Sequence, residues 1–230
     1  LDNITHRDLR LIDTPHARFG DNISLVPVVP REFARVIAHY PRFLRKAAQT
    51  GQLEPVAMLG FMTGENLFLD DDGWDAGYIP LHVRRQPFMV APGDDDSLVL
   101  SVDIDSPRLS TTEGRPLFLA QGGLSELVQD KTAILSDLVE GAPHEAASPI
   151  DHTAAGLIES VELGVEFADG TRTTVQGLYT IHREHLDGLP SDRLAALHRA
   201  GWLELAYVQL ASVAHVAELI ARRNRRLATA

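Results

Sequence analysis

The chain has 230 residues, 44% of them hydrophobic and 23% charged, which is enough to bury a core and argues against wholesale disorder. Its formal charge of −11 sets it against a phosphate backbone, so no nucleic-acid partner is expected. With no cysteine it has no disulfide, thiol nucleophile or thiolate metal ligand; this fits a reducing compartment, and a cytoplasmic placement is expected.

Residues 1–13 lack the basic-then-apolar order of a secretory signal, although the chain starts without Met and a removed leading segment stays open. No uninterrupted apolar run nears the ~18–20 residues of a bilayer span, so no transmembrane segment is expected. Residues 4–12 alternate in character and suggest a strand. Residues 23–29 are β-branched and apolar, as in a strand; Pro27, lacking an N–H, puts that strand at a sheet edge or ends it early. Pro30 suits a first helical turn. Phe33, Val36 and Ile37 recur at helical spacing and predict a short helix over 31–39, which Pro41 stops.

Residues 43–48 and 55–61 read as antiparallel strands around a Thr50-Gly51 turn. A short strand is expected over 67–69, an acidic turn over 70–73, one helical turn over 81–86, and a hairpin pairing 88–90 with 98–102 across an acidic loop. Residues 106–116 read as irregular. Leu124, Leu127, Val128, Ile134, Leu135 and Leu138 share one helical face, predicting a helix over 124–140 with Gly141 as its stop. The Ala-, Pro- and His-rich stretch 141–156 reads as a linker, marking a subdomain boundary inside one domain spanning 1–230.

Val161, Leu163, Val165 and Phe167 alternate, Asp169-Gly170 is a strong hairpin signal, and 174–181 is the returning strand. After a connector over 182–189, a helix is expected over 191–200, capped by Ser191-Asp192 and broken by Gly201. The last helix is expected over 202–224, with Leu203, Leu210, Val213, Ala217 and Ile220 as its core stripe. Its basic end, Arg222, Arg223, Arg225 and Arg226, complements the negative helix C-terminus. The fold class is therefore α+β: an antiparallel β-rich body with a few packed helices, including a long C-terminal one.

Chemistry-bearing residues concentrate between positions 54 and 92. The acidic run from Asp70 invites a calcium loop, but that loop needs Gly at its sixth place and Glu at its twelfth. Asp75 and Leu81 stand there, so a solvated turn is the better reading. His182 and His185 are three apart rather than the four of a helical zinc pair, and the candidate third ligands His144, His152 and His198 are fixed by nothing in the spacing. No metal site follows. Nucleophile-elbow, dinucleotide and phosphate-loop glycine motifs are absent, so neither a catalytic residue nor a cofactor is assigned.

What remains is one mixed-charge, aromatic-rich cluster. Glu65, Asn66, Asp70, Trp74, Tyr78, Arg84 and Arg85 are the candidate ligand-binding residues, suited to a small polar ligand or to an anionic group bridged by the arginines. A structural role, with salt bridges pinning a long loop to a sheet, is the competing account.

Several segments carry a resemblance. Tyr40-Pro41, residues 55–60, residues 64–70, Tyr78-Ile79-Pro80 and Arg84-Arg85-x-Pro87-Phe88 resemble the SapC family of bacterial proteins. Asp169-Gly170, Gly177-Leu178-Tyr179, Leu197, Gly201-Trp202-Leu203, Ser212 and Leu219-Ile220 continue the likeness in the same order. The family takes its name from an association with surface-layer proteins. Similar proteins are encoded near halogenase-like flavoenzymes, cupin-like oxygenases and TonB-dependent receptors. The resemblance thus implies an accessory role around surface-layer or outer-membrane uptake systems, and it brings no catalytic residues with it. The expected protein is a non-enzymatic binding or accessory component with a small polar ligand or an unidentified protein partner, its oligomeric state open. The alternative is an enzyme or enzyme partner in a halogenase- or oxygenase-associated modification pathway, drawing on Glu65, Asp70, Arg84, Arg85 and His82.

Overall fold

Strand β1 (Arg10–Leu11) is followed by β2 (Leu25–Pro27), the helical turn α1 (Phe33–Val36), and the hairpin strands β3 (Arg42–Lys46) and β4 (Leu53–Met58). A two-residue ribbon, β5 (Leu69–Asp70) with β6 (Gly73–Trp74), leads to the helical turn α2 (Leu81–Arg84). Next come the hairpin β7 (Phe88–Pro92) and β8 (Leu98–Val102), the short strands β9 (Leu109–Ser110) and β10 (Arg115–Pro116), and helix α3 (Glu126–Ala146). The last part holds the hairpin β11 (Ile158–Glu166) and β12 (Arg172–Ile181), and helices α4 (Arg183–Asp187), α5 (Ser191–Arg199), α6 (Trp202–Ser212) and α7 (His215–Thr229). This is a computed structural model that describes residues 1–93, 97–146 and 156–229. It has the α+β architecture expected from the sequence.

A five-stranded antiparallel sheet, ordered β11-β12-β3-β4-β2, is the frame. Pro27 ends β2 on the sheet's edge opposite Val56, where its missing N–H interrupts no ladder. Asp169-Gly170 makes the turn between β11 and β12, with Gly170 at φ 82, and the pairing shifts register between Val161 and Leu163. The largest core lies on this sheet: Val26, Phe43, Val56 and Leu178 from the strands meet Phe33, Phe68 and Leu219 from outside it.

A second core forms where α3 covers β1, β7 and the residue after β10, through Leu11, Phe88, Leu117, Leu127, Val128 and Leu135. Val29, Leu81, Ile134 and Leu138 tie α2 and α3 together. The three-stranded sheet β10-β1-β9 gathers residues that are about a hundred positions apart.

Several local expectations are corrected. Only Arg10–Leu11 of residues 4–12 is strand, because Asp2 accepts from the Ile4 and Thr5 amides (3.0 and 2.7 Å) and folds that segment into turns. Residues 106–116 supply β9 and β10 rather than an irregular loop. Gly141 lies inside α3 and does not stop it. A Cβ there would sit 3.0 Å from Cβ of Val29, so glycine serves the close approach of helix and strand end. Helix α5 begins at Ser191 itself, with Pro190 at the cap position. The expected linker is helical as far as Ala146, and its residues 147–155, with His152, lie outside the described residues, as do 94–96 of the acidic loop.

The long C-terminal helical stretch is divided by a turn at Val213-Ala214. Its fully buried residues are Ala206, Gln209, Ser212, Val216 and Leu219, while Leu203, Leu210, Val213 and Ile220 of the expected stripe pack half-buried against the cores and Ala217 is exposed. Because α6 is apolar nearly all round, spacing alone could not choose its inward face. The choice is made by Ser212, which accepts from the Arg42 amide at 3.0 Å and donates to Gln209 O at 2.7 Å. By length and composition Trp202–Thr229 is also long and apolar enough to cross a membrane, which counting uninterrupted apolar residues did not reveal.

Candidate functional site

Two halves of the segment between residues 54 and 92 meet different surroundings. In the first half, Gly60 lets the chain double back on itself: a Cβ there would lie 2.4 Å from the carbonyl oxygen of Glu65. The buried Glu65 carboxylate accepts from the Phe61 amide and from Arg223 of α7, both at 2.7 Å. Asn66 is buried too; it donates to Asp21 O at 2.8 Å and accepts from the Phe68 amide at 3.0 Å. Asp70 is exposed and accepts from the Asp72 amide at 3.0 Å, closing the β5–β6 turn.

Trp74 donates from its indole to the Tyr40 hydroxyl at 2.8 Å, and that hydroxyl donates to Tyr78 O. The Tyr78 hydroxyl donates to Glu32 at 2.9 Å. The buried Glu32 carboxylate also accepts from the Leu81 and Val29 amides, at 2.9 and 3.0 Å, joining the start of α2 to the end of β2. Burial raises the Glu32 pKa and holds the Tyr40 and Tyr78 phenols far above their ordinary range. From α7, Arg222 reaches Asp75 at 2.6 Å and Arg226 donates to Leu69 O. The basic end of the C-terminal helix therefore does more than complement a dipole: it clamps residues 65–75.

In the second half, α2 buries Leu81 and Val83 and delivers its polar residues to two cavities. Arg84 lines one of about 180 Å³ with Asp13, Arg108, Arg115, Asp130 and Lys131. Arg85 and His82 line a more open groove of about 570 Å³ with Arg45, Glu54 and the loop joining β3 to β4. Arg45 is paired with Glu54 at 2.7 Å. Arg85 is half-buried and donates to Phe88 O at 2.8 Å; among the described residues it has no carboxylate partner. Burial, then the neighbouring Arg85 and Arg45, pushes the His82 pKa down to about 4, so this imidazole is neutral at pH 7.

The seven residues singled out in the sequence thus do not form one cluster. Glu65, Asn66, Trp74 and Tyr78 join internal hydrogen-bond networks, Asp70 shapes a turn, and Arg84 and Arg85 are divided between the two cavities. Sequence reasoning missed Arg45, Arg108, Arg115 and Lys131, each distant along the chain. One signal was available: Arg222, Arg223 and Arg226 recur at helical spacing, which puts three cations on neighbouring faces of α7. His182 and His185 stack at 3.7 Å between ring centroids, and no group of three metal-ligating side chains occurs among the described residues.

These features define an α+β protein with two cation-lined cavities flanking one short helix. A SapC family model matches residues 1–219 of the chain, and the chain belongs to the SapC family. Comparison with curated proteins and with solved structures finds no match.

Proposed function

We propose that the protein is a non-enzymatic binding protein for a small anionic ligand held in the groove beside Arg85, and an accessory component of surface-layer or outer-membrane uptake systems. Arg85 carries the ligand part. A half-buried guanidinium without a carboxylate partner among the described residues is a cation awaiting an anion, and its planar fork suits carboxylate or phosphate groups. The groove's volume falls within the ~300–1,000 Å³ of small-molecule sites. Neutral His82 offers a polar edge beside it without adding charge. The accessory part rests on family membership.

The enzyme alternative calls on Glu65 for acid–base work, and the commitment of that carboxylate to Phe61 and Arg223 favours binding over turnover. Native mass spectrometry of the purified protein tests the ligand part. A co-purifying small anion is expected, lost in Arg85→Gln and kept in Arg84→Gln. A protein that carries no ligand, and whose Arg85→Gln variant matches it in thermal shift across small carboxylates and phosphates, would overturn the assignment. A deletion strain with unaltered surface-layer assembly and uptake would sink the accessory part.

A further inference from the structure

The cavity on the other side of the arginine pair has an inventory of its own. Lys131, of α3, is buried, and its ammonium donates to Asp13 at 2.5 Å and to Arg84 O at 2.6 Å. An ammonium carries three N–H groups, so one remains without a partner among the described residues. Arg108 is buried as well: it is ion-paired with Asp21 and donates to Ile12 O and Thr14 O at 3.4 and 3.3 Å, while its buried Nε has no hydrogen-bond partner. Arg84 and Arg115 are exposed, and neither guanidinium makes an ion pair or hydrogen bond among the described residues. Against these stand Asp13, held by Lys131, Asp21, held by Arg108, and Asp130. Four cations face three carboxylates, a local excess of one positive charge in a chain whose total is −11.

We propose that this cavity is a second binding site, for a compact dianion: a phosphate monoester or a short dicarboxylate. Its fixed donors come from buried groups whose other bonds already position them, so binding an oxyanion requires little reorganisation. Arg84 and Arg115 supply the two mobile charges at the mouth. The space, about 180 Å³, is smaller than that of drug-sized sites, ~300 Å³ and above. Its apolar wall is aliphatic, with Pro15, Ile79, Val83, Leu127 and Ile134, and no aromatic ring among the described residues lines it to stack a nucleobase. A short carbon body with charged oxygens fits; a nucleotide does not. The fold builds this place from three directions: α3 presents Leu127, Lys131 and Ile134 at helical spacing, β10 brings Arg115 opposite Leu11, and α2 ends with Arg84.

Isothermal titration of the whole chain at low ionic strength and pH 7, with inorganic phosphate and with succinate, tests the site. Saturable binding of at least one probe is expected, one equivalent of it persisting when the neighbouring groove is disabled, and chloride at matched ionic strength should not reproduce it. Arg84→Gln and Arg115→Gln should each weaken it about tenfold, the loss typical of one charge-assisted hydrogen bond. Both side chains are exposed and unbonded, so unchanged melting temperatures will certify the variants' folds. Arg85→Gln should leave this binding intact, which separates the site from the neighbouring groove. Phosphate alone binding identifies a phosphate monoester as the natural class, and succinate alone a dicarboxylate. No saturable heat with either probe, or equal affinity in wild type and both variants, overturns the proposal.

Discussion

Residues 60–75 and residues 82–85 belong to one segment and are comparably rich in charge, yet they fare differently in the fold. In the first region the charges that meet the rest of the fold are paired within the chain: Glu65 meets Arg223 and Asp75 meets Arg222, while Asp70 stays exposed and closes a turn. In the second, Arg84 and Arg85 reach cavity walls without an ion pair of their own among the described residues, the nearby Asp13 and Glu54 being paired with Lys131 and Arg45. The difference teaches where to look for function. A charge whose partner is built in contributes to architecture, and a charge held in place without one is available to a ligand.

The sharpest way to break this contrast is at Glu65. Arg223→Ala strands a buried carboxylate and should cost about 3 kcal/mol in urea unfolding, the scale for breaking one partner out of a buried pair. Glu65→Gln should cost less, about 1–2 kcal/mol, because the amide can still accept from Phe61. The double variant should show coupling above about 1 kcal/mol, and a coupling near zero would mean that α7 does not clamp this region.

A slightly smaller effect is expected at His82, through pH. Its pKa is held at about 4 in the fold against an ordinary 6.5, so between those values the unfolded chain binds the extra proton. Stability therefore falls as pH drops from 6.5 to 4, by an amount on the order of 2–3 kcal/mol. His82→Gln should flatten the stability profile in that window, and a slope unchanged by the substitution would place the ring in water rather than in the groove wall.

Arg85→Gln should change stability by less than about 1 kcal/mol, since it removes one hydrogen bond to Phe88 O, while abolishing ligand retention in the groove. A larger loss of stability would move Arg85 to the architectural side of the comparison. Asp70→Asn should matter least, within about 0.5 kcal/mol, because asparagine can accept from the Asp72 amide in the same exposed turn.

The local features were legible wherever the physics was local. Pro27 marked a strand that ends at a sheet edge, Asp169-Gly170 made its hairpin, and the apolar periodicity of residues 127–138 made a helix, although Leu124 lies before it in a bridge to Phe118. Glycine was ambiguous. Gly141 has the look of a helix stop, and its actual role depends on Val29, more than a hundred residues earlier. The face of α6 was hidden for a related reason: apolar residues on all sides leave the choice to a polar contact, Ser212 with Arg42, which periodicity cannot see.

The sequence by itself determined the α+β class, most strand and helix positions, and the concentration of charged and aromatic residues between 54 and 92. These follow from backbone propensity and side-chain periodicity, which act over a few residues. Only the tertiary structure decided which of those charges are neutralised. Arg223 reaches back 158 positions to Glu65, and Lys131 crosses 118 positions to Asp13, while among the described residues no carboxylate pairs with the guanidinium of Arg84 or Arg85. Electrostatic pairing depends on distance in space and on burial, and the chain path sets both.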